Sequence, residues 1–219
     1  MESVLAIESA VANGSIAVFM EGQTSVVHAA EGAARAERIL SIVEEILQES
    51  GLALDKLDRI AVSIGPGSYS GIRIGMSTAL GLRDALGISC IGVPVLAAMA
   101  EAAPDSGPVT CAVPVGKNDV AWQPYGASKA DRRESVCEPQ LCSVIKFASE
   151  LSLMPGTALF AHTNLLDRMA GAIPPETKAM DAGSRLAEYV GRFAMRWPDG
   201  EGTMKPIYLR NQMTQPQRV

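Results

Sequence analysis

Histidine is nearly absent: His28 and His162 are the only two in 219 residues, and they stand far apart. No HxxxH or HExxH occurs, which argues against a zinc or iron site built on imidazoles and removes the usual general base. The four cysteines, Cys90, Cys111, Cys137 and Cys142, form no CxxC and no metal-finger spacing. They read as reduced, partly buried thiols, consistent with a cytoplasmic chain. Positive charge is also short. Nineteen Lys and Arg against 24 Asp and Glu give a net charge of −5, which argues against a dominant nucleic-acid surface. No apolar run reaches membrane-spanning length, and the opening MESVLAIES is acidic where a secretory leader would be basic, so neither leader nor membrane contact is expected. No Ser-His-Asp, Cys-His or paired-carboxylate set can be assembled from spacing alone.

What is present suits a packed α/β protein. Hydrophobic residues make up 47% of the chain, ample core for one large domain or two small lobes. Val4 to Glu8 predicts a strand, and Ser15 to Met20 with Ser25 to His28 predicts a hairpin. Arg35 to Ser50 predicts a helix with Ile39, Leu40, Ile42, Val43, Ile46 and Leu47 on one stripe, stopped by Gly51. Ile60 to Ile64 reads as a buried strand, Ile72 to Leu86 as a helix ending at Gly87, Ile88 to Val93 as a strand, and Pro94 to Ala103 as a helix. The breaker cluster from Ala103 to Pro108 marks a lobe boundary, giving lobes 1–103 and 108–219. Beyond it, Thr110 to Val115 and Val120 to Tyr125 pair as strands, and Leu141 to Leu151 is mixed. Thr157 to Ala161 is a strand and Ser184 to Trp197 the last helix. The tail from Gln212 is polar and expected to be mobile, and no internal repeat stands out.

The most particular segment is Ile60 to Gly75, IAVSIGPGSYSGIRIG. A strand feeds a glycine-lined turn and then a helix, an arrangement that presents backbone N–H groups to an anion. Gly65, Gly67 and Gly71 permit close approach, Ser68 or Ser70 can cap the helix, and Arg73 falls in its first turn. The turn is neither a Walker loop nor GxGxxG. Its alternative reading is a tight βα connection whose glycines serve packing. The helix itself carries Gly71, Gly75, Thr78, Ala79 and Gly81, and each glycine costs about 1 kcal/mol relative to alanine, so close packing is expected in return. The small residues pack on their own sheet, on a second chain, or on both by different faces.

GPGSYSGIRIG resembles the GPGSFTGxRxG signature of the bacterial TsaB (YeaZ) family. VLAIESA is similar to that family's ILAIDTS strand, ERILSIVEEIL to its ERLLPxIxxLL helix, GLRDALGISCIGVPVLAAMA to its GLAxALGIPxxGVSSLEALA segment, and PIYLRN to its PxYLR ending. The likeness is strong over residues 1–100, faint through 108–180, and returns in the last fifteen or so. It implies two ribonuclease-H-like lobes of the actin/Hsp70/sugar-kinase (ASKHA) architecture. It also implies a non-catalytic subunit for making threonylcarbamoyladenosine in tRNA, paired with a metal- and nucleotide-binding TsaD-like enzyme and joined by a TsaE-like ATPase. Homodimerisation in isolation, tRNA contact mainly through the complex, and ATP use by the partners follow from it, with no tightly bound cofactor beyond weak nucleotide binding at the turn. Pairing through first-lobe helices would put Ile39, Val43, Ile46, Gly71, Gly75 and Ala79 at the interface.

Where a catalytic relative would carry histidines, Val95 to Ala103 reads VLAAMAEAA. Glu8 stands where the family usually has Asp, one methylene longer, or it is simply a solvated acid at a strand end. In AVPVGKNDVAWQPYG, Val115 and Gly116 replace parts of the family's Asp-Ala-Arg triplet, so no role carries over to Lys117 or Asp119. Arg185, Arg192, Arg196, Lys205 and Arg210 interleave with acids and read as a mixed solvated surface, with a minor tRNA contact open. The competing class is a stand-alone enzyme, either an actin-like ATP-dependent phosphotransferase or a glycoprotease-type metallopeptidase. The first needs acids in both lobes and a second phosphate turn, and the second needs histidine ligands.

Overall fold

The computed structural model of the chain describes residues 2–21, 23–29, 36–129, 132–196 and 203–209. Expectations for Arg35, Trp197, Arg210 and the tail from Gln212 lie outside them. Strand β1 (Ser3–Glu8) is buried along its whole length, as a central strand covered on both faces must be. β2 (Ser15–Met20) and β3 (Gln23–Ala29) fold back antiparallel on one side. β4 (Arg59–Ser63) and β5 (Ser89–Val93) add in parallel on the other, giving the order β3-β2-β1-β4-β5. Parallel additions need crossovers, and α1 (Ala36–Ser50) and α2 (Tyr69–Leu86) supply them. α1 ends at Gly51 and α2 at Gly87, where φ of 70° and 68° favours glycine as the stop. Strand alternation sorts the core. Leu5, Ile7, Ile16, Val18, Ile60 and Val62 pack with α1 and α2, while Val4, Ala6, Ala17, Phe19 and Ala61 line the opposite face.

The second half repeats the first. β6 (Val109–Val115), β7 (Asp119–Tyr125) and β8 (Gln140–Ser143) are antiparallel, and β9 (Ala158–Ala161) and β10 (Ala179–Asp181) add in parallel, in the order β10-β9-β6-β7-β8. With α3 (Val95–Ala102) closing the first half and α4 (Val144–Ser152), α5 (Thr163–Arg168) and α6 (Ala187–Met195) in the second, both halves run strand-strand-strand-helix-strand-helix-strand-helix. The duplication is one of topology and burial, not of residues, and so no repeat stood out in the sequence. The mixed segment Leu141 to Leu151 resolves into β8 and α4. α5 and β10, short and weakly periodic, were not anticipated.

The last helix of each half crosses to the other sheet. Leu96, Met99 and Ala100 of α3 join one core cluster with Val109, Cys111, Val113 and Phe160 of the second sheet. Ala187, Val190 and Ala194 of α6 pack beneath Val4, Ala6 and Phe19 of the first. Ala187 N donates to Ser15 Oγ at 2.9 Å, and segment 203–209 returns to the first sheet, with Ile207 N donating to Ile64 O at 2.8 Å. Apolar residues of α6, which follow the 103–108 connection in sequence, thus find their cover on the first sheet. The connecting residues 103–108 are anchored by Arg133, which donates to the carbonyls of Asp105, Gly107 and Gly126. No helix among the described residues is long and apolar enough to cross a membrane.

Gly191 is the contact point of the exchange, since a Cβ there would enter the ring of the fully buried Phe19. Gly191→Val overpacks this seam and is expected to lower unfolding stability by about 1–3 kcal/mol in a urea titration. An unchanged midpoint would mean that α6 does not seat on β2.

Candidate functional site

The glycine turn faces inward. Ser68 Oγ accepts from Gly71 N at 3.3 Å, capping α2, which starts one turn earlier than its periodicity suggested. Ser68 N donates to Ala10 O at 2.6 Å, Gly65 N to Ser63 Oγ at 3.3 Å, and Ile72 N to Ser68 O at 2.9 Å. A Cβ on Gly67 would enter Ala10 O, one on Gly71 would enter Ser9 O, and one on Gly75 would enter Ser9 Oγ. Ser9 Oγ in turn donates to Gly71 O at 2.8 Å. These glycines bring α2 onto the Ser9-Ala10 backbone. The amides of Gly65, Ser68 and Gly71 have partners inside the chain. Ser70 is exposed, its Oγ 3.2 Å from that of Ser68. Arg73 lies over the Tyr69 ring at 4.9 Å, and Tyr69 packs against Tyr208 with ring centroids 4.7 Å apart.

The six residues expected at a partner interface sit on the inward faces of α1 and α2. Ile39, Val43, Ile46, Gly71, Gly75 and Ala79 are all buried in the chain's own fold, because their stripe is the one that covers the sheet. The two helices instead leave a groove of about 410 Å³ on their outer side, walled by Leu40, Leu47, Leu52, Leu54 and Leu82 and reached among the six only by Val43. Leu40 is 51% and Leu54 41% exposed.

A second concavity of about 440 Å³ lies between the halves. Ala10 and Ala12 of the β1–β2 turn, Ser68 and Tyr69 of α2, Gly116 of the β6–β7 turn, and Arg168 line it. Arg168 is already committed, donating to Gly116 O at 2.8 Å and Lys117 O at 3.1 Å. Glu8, a strand-end acid in the sequence, is only 2% exposed. Its Oε1 accepts from Ala10 N at 2.7 Å and Val11 N at 3.0 Å, while Oε2 has no hydrogen-bond partner. Burial pushes its pKa up to about 8, against the pull of the two amides. An adjoining cavity of about 240 Å³ includes His162. Its Nδ1 accepts from Asn164 N at 3.1 Å to cap α5, and burial lowers its pKa, keeping the ring neutral. Burial drives the Cys111 thiol far above its ordinary range and the Cys90 thiol to about 11, so neither is a thiolate at neutral pH. The Glu8 and His162 contacts are local, to Ala10, Val11 and Asn164, and only the Arg168 contacts to Gly116 and Lys117 join residues far apart in the chain.

Two sheets of order 3-2-1-4-5, facing each other across exchanged helices, define the two-lobed ribonuclease-H-like architecture of the actin/Hsp70/sugar-kinase class. Residues 27–175 match the family model described as "TsaD: tRNA N6-adenosine threonylcarbamoyltransferase". A "tRNA threonylcarbamoyladenosine biosynthesis protein TsaB" from Haemophilus influenzae is 25% identical over 97% of this chain and 95% of its own length. Its Escherichia coli namesake is 30% identical over 63% of each. The solved structure "YeaZ from Pseudomonas aeruginosa" superposes with a TM-score of 0.71 at 24% identity, covering 95% of this chain and all of that one. The chain belongs to the TsaB/YeaZ family.

A metal–nucleotide pair, which the architecture brings to mind, is not matched by the donors at the cleft. Among the described residues no three His, Cys, Asp or Glu side chains converge on a cation-sized site. Glu8 spends Oε1 on its own turn.

The folded-state pKa of Glu8 lies above its unfolded value of 4.5, so the folded chain keeps a proton that the unfolded chain releases. Its contribution is whole below about pH 4.5 and is lost as pH rises through about 8. Unfolding free energy is expected to fall across that window, and Glu8→Gln, which cannot titrate, should flatten the decline. Parallel curves for the two proteins would rule out a buried neutral Glu8.

Proposed function

We propose that the chain is a non-catalytic subunit in tRNA threonylcarbamoyladenosine biosynthesis, docking through the α1–α2 groove onto a TsaD-like enzyme. The observation that carries the reading is the groove itself: exposed leucines at Leu40 and Leu54 above an apolar floor. Leucines dominate the groove, with Glu44 and Gln48 also in its lining, and a contiguous apolar surface of this kind marks a protein contact. The occupant is argued from likeness. This chain matches the TsaD description over residues 27–175, a span that includes α1 and α2, so a TsaD-like partner carries a comparable helix pair that can meet it face to face. Two similar helix pairs packing about a pseudo-two-fold bury leucine on leucine.

A non-catalytic role is supported by the same residues that fail to form a reactive centre. Glu8 is turned onto its own turn, His162 caps a helix, and the reachable thiols are protonated. Chemistry then belongs to the partner, along with the metal and nucleotide. A TsaE-like ATPase joins the pair, and tRNA is met through the complex. In the absence of that partner, the same groove pairs two copies of this chain in the cytoplasm.

Leu40→Glu is expected to weaken binding to the TsaD-like partner from the same cell roughly 30-fold or more in sedimentation or calorimetry, with the fold intact. Ala79→Glu, by contrast, places a charge in the core and should unfold the chain. Full-strength pairing by Leu40→Glu and Leu54→Glu would move the interface elsewhere. Metal-dependent ATP hydrolysis or peptide cleavage by the isolated chain would overturn the non-catalytic reading.

A further inference from the structure

The β1–β2 turn has the backbone of an oxyanion site, yet it faces a side chain of its own. The amides of two consecutive residues, Ala10 and Val11, converge on a single oxygen, Glu8 Oε1, at 2.7 and 3.0 Å. Successive N–H groups aimed at one point form a concavity that takes a phosphate or carboxylate oxygen. The turn is held in that shape: Ala12 and Gly14 both have positive φ, 49° and 76°, and a Cβ on Gly14 would stand 2.6 Å from Glu8 O. Gly14 N donates to Val11 O at 2.9 Å, closing the turn, and Ala10 O is fixed from outside by Ser68 N at 2.6 Å. The turn is therefore braced by α2 on one side and by Glu8 on the other. Its Ala10 and Ala12 form part of the wall of the cleft of about 440 Å³.

We propose that Glu8 is a built-in plug: its carboxyl oxygen occupies the Ala10–Val11 donor pair from within the chain and closes the cleft to phosphate-type oxyanions. The register fixes the backbone that carries the plug. Glu8 pairs with Ser15 across the β1–β2 ladder, and Ser15 Oγ accepts from Ala187 N at the start of α6. Glu8 follows Val4 and Ala6 on the α6 side of the sheet, with a side chain only 2% exposed. Across the cleft the opposing turn is filled in the complementary sense, by Arg168 on the carbonyls of Gly116 and Lys117. Each of the two facing turns is thus satisfied by a side chain of this chain. Pairing with another protein through α1 and α2 plays no part in this inference, and its test needs no partner.

The test is removal of the plug, with inorganic phosphate as the probe. In Glu8→Ala the two amides lose their acceptor. Added phosphate should then raise the melting midpoint by about 3 °C or more, saturably, and shift the Ala10 and Val11 amide resonances. The parent protein and Glu8→Gln, which keeps an oxygen acceptor, should show neither response, with potassium chloride of equal ionic strength as the reference. Equal responses in Glu8→Ala and the parent, or none in a folded Glu8→Ala, would overturn the proposal. Should Glu8→Ala fail to fold, the parent alone decides the matter. Ala10 and Val11 amides unmoved by millimolar pyrophosphate support the plug, and saturable movement refutes it.

Discussion

The contact on which the rest of the molecule depends is the approach of α2 to the Ser9–Ala10 backbone. Gly67, Gly71 and Gly75 lie so close to that segment that any side chain would collide with it, and Ser9 Oγ and Ser68 N tie the two together by hydrogen bonds. The glycines give up helix propensity, and the tight seam is what offsets the loss. From this seam the other features take their places. It sets the β1–β2 turn against the cleft, it fixes the tilt of α2 over the sheet, and it leaves the leucines beside α1 facing outward.

The second organising feature is the exchange of helices between two halves of one topology. α3 fills the space beneath the second sheet and α6 the space beneath the first, so the halves share a continuous core rather than meeting at a hinge. Arg133 on the connecting carbonyls and Lys178 on Asp105, at 2.7 Å, reinforce the same junction. Such a frame suits a protein whose work is to present a fixed surface. The membership in the TsaB/YeaZ family, reached through the family match and the near full-length relative, sits well with that construction.

Much of the first half was legible in the sequence. Its strands are apolar runs, its helices have clear stripes, and Gly51 and Gly87 stop them where the pattern ends. The glycine signature was legible as a motif, with anion binding and close packing both open. Glycine spacing reports that something approaches the backbone closely, and the same spacing serves a phosphate or, as here, the neighbouring Ser9–Ala10 turn. The apolar stripe of α1 was legible as a buried face, and periodicity alone does not say what buries it. Ile39 and Ile46 cover the chain's own sheet, and the exposed Leu40 was visible only as one more member of the stripe. Glu8 was beyond reach. Its neighbours in sequence mark a strand end, and only the tertiary fold reveals that this end is buried beneath α6.

The central claim is that the inward glycine seam leaves the leucine groove as the working surface. Hydrogen–deuterium exchange of the chain with and without a TsaD-like partner tests it most directly. Added protection should fall on α1 and the 52–54 segment beside it, with the β1–β2 turn and the 65–68 turn unchanged. Protection confined to those turns, with α1 exchanging as in the free chain, would contradict the account.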